Sequence, residues 1–196
     1  MSKFRKFLAL FLITIGITSC DVLNQVAQIA NFANCKFNFE SVDQVKMLDV
    51  QLSRGMTKND LNITQLATLT NAILKKQLPV SFNVNLNVNN PNTIPAALTK
   101  MDYILTLNGK EVVSTTLNKS INIGANSSSV VSIPIQTDLF QLFTGESVDA
   151  IVNLAFKLAG VSSNPVNVGI KVKPYISIGN QLLPYPDYIS LNKTLE

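Results

Sequence analysis

The side chains that most often carry out catalysis are scarce in this sequence. It contains no histidine, which is the commonest general base and the commonest metal ligand in proteins. A Ser–His–Asp or Cys–His nucleophile is therefore excluded. The sequence also lacks an SxxK motif, a GxGxxG motif and a Walker A loop. We expect no catalytic residue, no cofactor-binding residue, no cofactor and no enzymatic activity.

The carboxylates and the second cysteine do not form a recognisable site either. Cys35 has Lys36 as its nearest basic neighbour in the sequence, and we interpret it as a half-buried apolar group rather than a redox site. Aspartates are scattered without the close spacing of a calcium loop, at Asp43, Asp49, Asp60, Asp102, Asp138 and Asp149. We interpret them as surface charges and helix caps, and we predict no metal site.

The N-terminus has the pattern of a secretory signal. Lys3, Arg5 and Lys6 give a positively charged start, and an apolar run over residues 7–17 follows. That run is too short to span a hydrocarbon core of about 30 Å, but it suits the apolar region of a signal peptide. A short signal anchor is an alternative interpretation.

A cysteine at the end of this signal carries the strongest motif of the chain. Residues 17–20, Ile-Thr-Ser-Cys, resemble a bacterial lipobox, in which an aliphatic residue and two small residues precede a cysteine that receives lipid. Cys20 is the predicted lipid attachment residue, which makes residues 1–19 the signal peptide and residues 20–35 a lipidated N-terminus and tether. Asp21 favours a protein that faces the periplasm. The alternative is an ordinary signal peptide next to an incidental Cys20.

The net charge of the chain is concentrated in this N-terminal segment. The pI is about 9.1, but removal of the signal leaves 13 basic side chains against 12 acidic ones. A nucleic-acid interface needs a concentrated basic face. We therefore predict no nucleic-acid partner.

The most regular element is an alternating strand over residues 78–92. Successive side chains of a strand point to opposite faces, so one face is apolar and the other carries uncharged polar groups. The apolar row is Val80, Phe82, Val84, Leu86 and Val88, and the polar row is Ser81, Asn83, Asn85, Asn87 and Asn89. We expect Val84 in the core and Asn85 exposed on the outside. Pro91 should end the strand.

Further strands are predicted on both sides of this element. Residues 37–52 form one broken or two short strands, whose core row we expect to be Leu48, Val50 and Leu52. Asn108-Gly109 predicts a tight hairpin, because both residues accept positive φ. Pro134 places the strand over residues 129–137 at a sheet edge or at a bulge. A last strand covers residues 166–178.

Two helical insertions interrupt the strands. The first spans residues 64–76, with Asn62 or Thr64 as its cap and a buried stripe of Leu66, Leu69 and Ile73. The second spans residues 138–160 in two pieces. Its buried stripe is Val148, Ile151, Val152, Ala155 and Leu158. The Pro-rich end carries Tyr175, Tyr185 and Tyr188, which either pack the end of the sandwich or form a contact surface for a partner.

Residues 80–137 resemble the late-embryogenesis-abundant type 2 domain, also called the water-stress and hypersensitive-response (WHy) domain. The matching features, in chain order, are the strand ending in Asn90-Pro91-Asn92, the row Met101, Tyr103, Leu105 and Leu107, the Asn108-Gly109 turn, Ile121 and Ile123 before Gly124, and residues 131–135. With its signal and its helical insertions, the chain is similar to the lipoprotein versions found in Bacteroidetes-like bacteria.

The resemblance implies a mainly β fold with added helices, an immunoglobulin-like antiparallel β-sandwich in a single domain over residues 36–196. It also implies an extracytoplasmic, non-enzymatic protein associated with desiccation or other stress. We expect the chain to be anchored to the membrane of the bacterial cell envelope through lipid at Cys20. The alternative function is a binding, carrier or accessory protein for an apolar ligand or a partner protein.

Overall fold

The computed structural model describes Phe32 and residues 34–160, 165–178 and 181–195. In chain order the strands are β1 (Lys36–Met47), β2 (Val50–Gln51), β3 (Pro79–Asn90), β4 (Ala96–Leu98), β5 (Lys100–Leu107), β6 (Lys110–Leu117), β7 (Ile121–Ile123), β8 (Ser127–Asp138), β9 (Val166–Ile178), β10 (Gln181–Pro184) and β11 (Ile189–Leu195). The helices are α1 (Ile63–Leu74), α2 (Leu139–Leu142) and α3 (Val148–Leu158). Strands make up 53% of the structure, which confirms the mainly β prediction.

Two antiparallel sheets pack face to face. The first has the order β2-β1-β3-β8, with the long alternating strand β3 in its interior. In the second, β9 pairs with β5 on one side and with both β10 and β11 on the other, and β6 completes the far edge. The sheets approach each other where β1 lies beside β11 and β8 beside β6. They curl into a half-barrel, consistent with the predicted sandwich.

The core lies between the inner faces of the two sheets. From β3 it receives the predicted row, and Val84, Leu86 and Val88 are fully buried. From β5 it receives Met101, Tyr103, Leu105 and Leu107, and from β9 it receives Val166, Val168, Ile170 and Val172. These rows follow the period-2 pattern, so their orientation is confirmed.

The turns and edges also follow from local sequence. Asn108 and Gly109 adopt φ of 49° and 79°, and they join β5 to β6 as the hairpin signal predicts. Strand β8 is an edge strand of the first sheet, which is one of the two positions that the proline rule predicts for Pro134.

The first strand differs from its prediction in its core row. Of the two predicted arrangements, the structure has the single interrupted strand: residues 36–47 form one strand with two register shifts against β3, and the separate β2 has only two residues. Val45 and Met47 are the buried residues near its end, whereas Leu48 turns with φ of 55° and is half-buried. The predicted row is therefore wrong at Leu48 and Val50, and only Leu52 is fully buried. The register shifts move the alternation by one residue, which the local pattern does not reveal.

The helices begin at their predicted caps. Asn62 caps α1, because its side-chain oxygen accepts from the Gln65 amide at 2.9 Å and Gln65 reciprocates. Ser147 caps α3 by accepting from the Ala150 backbone amide at 3.2 Å, without a reciprocal bond, and Asp138 caps the single turn of α2. The stripe of α3 is buried apart from Val148, whereas α1 buries only Leu69 and Ala72.

Candidate functional site

The predicted lipid attachment residue, Cys20, lies outside the described residues, as do the signal peptide and most of the tether. The described chain begins at Phe32, which is 1% exposed and packs edge-on against Phe37 with a centroid separation of 6.0 Å. Cys35 is half-buried as predicted, and this burial raises the pKa of its thiol. A raised pKa keeps the thiol protonated and poorly nucleophilic near neutral pH.

The outward side of the first sheet carries a set of mostly uncharged hydrogen-bonding groups, which we call the amide face. Antiparallel register places outward residues of β1, β3 and β8 opposite one another in rows. The members of the amide face are Asn38, Ser41, Asp43, Asn83, Asn85, Asn87, Asn89, Ser128 and Ser132. Asp43 is the one ionisable side chain in this set, and the same outward side also carries Lys36, Lys46, Val130 and Pro134.

Asn85 is the centre of the amide face, and its burial corrects the prediction. Its side chain points outward, yet it is only 5% exposed. Its Nδ2 donates to Ser41 Oγ at 3.0 Å and to Asp43 Oδ2 at 2.7 Å, and its Oδ1 accepts from Ser132 Oγ at 2.6 Å. The amide thus has partners for both hydrogens and for its oxygen. Neighbouring polar side chains, rather than the core, remove Asn85 from solvent.

Asn90, at the end of the same strand, holds together one end of the sandwich. It is fully buried, and its Nδ2 lies within 2.9 to 3.2 Å of the carbonyl oxygens of Ile94, Ile123 and Gly124. Its Oδ1 accepts from the backbone and side-chain nitrogens of Asn92. The Asn-Pro-Asn motif therefore does more than stop a strand, because its first residue fixes the loop after β3 against the segment between β7 and β8.

The outward face of the second sheet carries a hydrogen-bonded cluster around a single carboxylate, Asp102, which the sequence pattern does not predict. Asp102 accepts from Thr116 Oγ1 at 2.6 Å and from the Tyr175 hydroxyl at 2.7 Å. Partial burial by itself would raise the pKa of Asp102, but these two hydrogen bonds and the charges of Lys100 and Lys173 hold it below its usual value. Asp102, Thr116 and Tyr175 lie on β5, β6 and β9. Their spacing along the sequence therefore does not predict the cluster.

The three tyrosines of the C-terminal region have different environments. The hydrogen bond to Asp102 raises the pKa of Tyr175, and burial and the negative charge of Asp102 add to this. Tyr185 packs against the core, whereas Tyr188 is 42% exposed with Lys173 Nζ 5.7 Å from its ring centre. The expectation that the tyrosines pack the sandwich is met by Tyr185 but not by Tyr188.

Two open grooves lie beside α3. The first, of about 550 Å³, lies at the seam between β1 and β11, where the C-terminal end of α3 closes it. Its lining combines apolar Val45, Leu52 and Leu158 with charged Arg54 and Lys193. The second, of about 660 Å³, lies between the β5–β6 hairpin and the N-terminal part of α3, and it is lined by charges of both signs.

The described residues also bear on metal binding, on unsatisfied buried polar atoms and on membrane-spanning helices. Within the described ranges, no group of three histidine, cysteine or acidic residues is arranged to hold a metal ion. In the same part of the chain, every buried side-chain nitrogen or oxygen has a hydrogen-bond partner. No described helix is both long and apolar enough to cross a membrane. What the geometry does provide is hydrogen-bonding surface on both sheets and the two grooves.

Comparison with known proteins identifies the family of this β-sandwich. The family model described as late embryogenesis abundant protein, LEA_2, matches residues 85–183, just over half of the 196-residue chain. The chain therefore belongs to this family. The match begins within β3, includes β5 to β9 and both α2 and α3, and leaves β1 and α1 outside. No curated protein sequence matches the chain.

Several solved structures are also similar to this chain. One is a crystal structure of a protein from Archaeoglobus fulgidus, with 12% identity over 79% of this chain and 95% of that one and a TM-score of 0.34. A solution structure of an Arabidopsis thaliana protein has 11% identity over 82% of this chain and 80% of that one, with a TM-score of 0.45. A solution structure of a putative late embryogenesis abundant protein has 12% identity over 96% of this chain and 88% of that one, with a TM-score of 0.39.

Proposed function

We propose that this chain is a non-enzymatic protein of the bacterial cell envelope, held to the membrane by lipid on Cys20, that protects neighbouring molecules during desiccation or related stress. Membership of the late embryogenesis abundant family supports the stress-related, non-enzymatic part of the proposal. The lipobox-like residues 17–20 support the membrane attachment. Two or three acyl chains on one cysteine would provide stable anchoring, which a single chain does not.

The observation that carries the protective role is the amide face. Its carboxamides and hydroxyls donate and accept hydrogen bonds without carrying charge, so their interactions with water, sugars or an unfolding protein do not depend on pH or salt. Lateral bonds such as Asn89 Nδ2 to Ser128 Oγ at 3.0 Å hold the groups in rows. Asn83 and Asn87 remain half-exposed beside the buried Asn85, and they are available to solvent.

A drying experiment with the full chain tests this role. A drying-sensitive enzyme is dried and rehydrated with vesicles that carry the chain, and its recovered activity is measured. We expect the double variant Asn83→Val and Asn87→Val to protect less than the wild type, because valine keeps strand propensity but removes the amides. The matched control is Ser114→Val with Ser190→Val, which changes two exposed positions on the second sheet. Equal protection by all three chains would refute a role for the amide face.

The anchoring is tested separately in cells. Cys20→Ala should leave an unprocessed precursor or a soluble chain, because no residue remains to receive lipid. Membrane fractionation of the wild type and the variant measures this directly. Because an uncleaved apolar signal can hold a precursor in the membrane, incorporation of labelled fatty acid is measured as well. Labelling of Cys20→Ala at the wild-type level would contradict the lipoprotein assignment and would leave the drying experiment unaffected.

The seam groove supports a second candidate function, that of a carrier for an apolar ligand. Its volume of about 550 Å³ and its apolar floor of Val45, Leu52 and Leu158 match the range of small-molecule sites. Arg54 and Lys193, together with the carboxylate of Asp43, give the lining a net positive charge that would suit an acidic head group. Mass spectrometry of lipids extracted from the purified chain, compared with those from an Arg54→Glu variant at the exposed rim of the groove, would detect such a ligand. A ligand that co-purifies equally with both chains does not occupy this groove.

A further inference from the structure

Helix α1 carries more apolar surface than the core uses. It packs on the sandwich through Leu69 and Ala72, which are buried, with Ile73 half-buried beside them. Ile63 is nevertheless 86% exposed and Leu74 78% exposed. A surface helix of a globular protein normally has one apolar stripe, which faces the core. Here a second stripe remains outside.

The exposed side chains form one continuous face. At 3.6 residues per turn, positions 63, 66, 67, 70 and 74 lie within about 100° of one another around the helix axis. We call this face the outer stripe, and its members Ile63, Leu66, Ala67, Thr70 and Leu74 are all exposed. Thr70 fits the stripe because its hydroxyl donates to the Leu66 carbonyl oxygen at 2.8 Å, which satisfies the polar atom within the helix.

The charge at the C-terminal end of the stripe is positive, whereas the exposed Asp60 lies three residues before Ile63 at the other end. The sequence from Leu61 to Gln77 contains no acidic residue, and Lys75 and Lys76 follow directly after Leu74. Both lysines are exposed. An aliphatic stripe with lysines at its end complements the apolar interior and anionic head groups at the surface of a bilayer.

The composition favours a bilayer over a protein partner. Protein interfaces are enriched in tyrosine, tryptophan, phenylalanine and arginine, and lysine is depleted in them. The outer stripe contains none of the enriched types, and lysine flanks it. Lysine at a membrane surface can lay its methylenes along apolar groups and keep its ammonium among the head groups.

We propose that α1 docks through the outer stripe onto a lipid bilayer that contains anionic head groups. The proposal extends the membrane attachment proposed above, and it rests on that attachment for the high local concentration of lipid. Phe32 lies near the end of β3, whereas α1 leads into its start. Residues 20–31 can reach at most about 40 Å, similar to the length of about 40 Å expected for the twelve residues of β3. Attachment at Cys20 therefore permits α1 to reach the same bilayer.

Tryptophan reporters test the docking, because the chain has no tryptophan of its own. Leu74→Trp places the reporter on the outer stripe, and Thr68→Trp places the matched control on the exposed polar side of the same helix. Each full-length variant is reconstituted into vesicles of equal parts phosphatidylcholine and phosphatidylglycerol whose acyl chains are brominated. We expect at least about twofold stronger quenching of Leu74→Trp than of Thr68→Trp, since only the stripe would enter the bilayer. Lys75→Gln with Lys76→Gln should reduce that quenching.

The remaining outcomes separate the two proposals. A chain that floats with the vesicles but shows equal quenching of both reporters retains its anchor and overturns the docking of α1. A Cys20→Ala chain that still floats and still shows strong quenching of Leu74→Trp supports docking and shows that α1 binds the bilayer without the lipid anchor. If the emission of Leu74→Trp shifts with increasing protein concentration and is not quenched by the lipid, a second copy of the chain covers the stripe. This result overturns the proposal that the stripe docks on a bilayer. Absence of flotation overturns both proposals.

Discussion

The Asn85 side-chain amide donates a hydrogen bond to the Asp43 carboxylate, 2.7 Å away across the outward face of the first sheet. Register shifts in β1 lie on both sides of the segment from Ser41 to Asp43, so this short segment pairs in register with the middle of β3. On the other side, the Ser132 hydroxyl of β8 donates a hydrogen bond to Asn85 Oδ1. An outward residue of a central strand can therefore be as inaccessible as a core residue.

Asn85→Asp should destabilise the fold despite its outward orientation. The substitution replaces the donor that faces Asp43 with a second carboxylate, so two negative charges meet where a hydrogen bond was. We expect a loss of about 2–3 kcal/mol at neutral pH, the usual cost of an unsatisfied buried polar group or like-charge contact. Urea unfolding of the wild type and the variant measures it.

The matched control is Asn87→Asp, two residues along the same face, opposite Asn38 and Val130. It should change stability by no more than about 0.5 kcal/mol, as surface substitutions usually do. The two variants should also differ in pH dependence. In Asn85→Asp, one carboxyl of the pair has a raised folded-state pKa, so its destabilisation should shrink as the pH falls through that pKa. Equal losses for both variants at all pH values would contradict the network.

Val84→Asp should abolish folding. Val84 is fully buried between the sheets, and among its neighbours are Ile133 of β8 and Val42 of β1 on the paired strands. A buried aspartate must lose its hydration or take up a proton, at a cost of several kcal/mol, comparable with the whole stability of a domain. Circular dichroism and thermal melting would detect the loss, and a cooperative melt near that of the wild type would show that β3 is wrongly oriented.

The orientation of β3 was predictable from sequence, whereas the accessibility of its outward side was not. Alternation is a property of one strand, and it assigns Val84 and Asn85 to opposite faces. The exposure of Asn85 depends instead on which side chains β1 and β8 place beside it. That placement rests on the register shifts of β1, which require the paired strand to be known.

The C-terminal strands illustrate the same limit. The sequence of residues 182–191 indicates a Pro-rich end, yet residues 181–184 and 189–195 form β10 and β11, which both pair with β9. Leu182 and Leu183 are exposed, so β10 lacks the alternation that predicts a strand. On α1, the stripe of Leu66, Leu69 and Ile73 was correctly recognised as apolar, but 3.6 periodicity alone does not say that the core takes one side and leaves Leu66 outside.

Asn90→Ala should be the most damaging polar substitution in the described chain. It removes the amide that faces the carbonyl oxygens of Ile94, Ile123 and Gly124, and it leaves these groups and the Asn92 amide to find other partners. We expect a loss of about 2–4 kcal/mol, because each buried group left unsatisfied costs about 1–3 kcal/mol. Equilibrium unfolding measures it. The neighbouring Asn89→Ala, which loses one exposed bond to Ser128, should cost less than about 1 kcal/mol.

The ionised Asp102 should stabilise the fold in a pH-dependent way, and the hydrogen bond from Tyr175 should increase the size of that contribution. The hydrogen bonds from Tyr175 and Thr116 keep the folded-state pKa of Asp102 below its usual value, despite the opposing effect of partial burial. For a carboxyl with a lowered pKa, the stabilisation is fully present above the unfolded pKa of about 3.9 and is lost as the pH falls through the folded pKa. Tyr175→Phe keeps the ring beside Lys100 but removes the donor.

Tyr175→Phe should therefore raise the pKa of Asp102 toward its usual value, and it should destabilise the fold more at neutral pH than at a pH below both pKa values. Carboxyl-carbon NMR titration of Asp102 reads the first effect, and urea unfolding across the acid range reads the second. Tyr188→Phe is the control, because the described hydroxyl contacts of Asp102 come from Thr116 and Tyr175. If Tyr175→Phe leaves the Asp102 titration unchanged, Thr116 and the lysines rather than the tyrosine hydroxyl hold the pKa of Asp102 down.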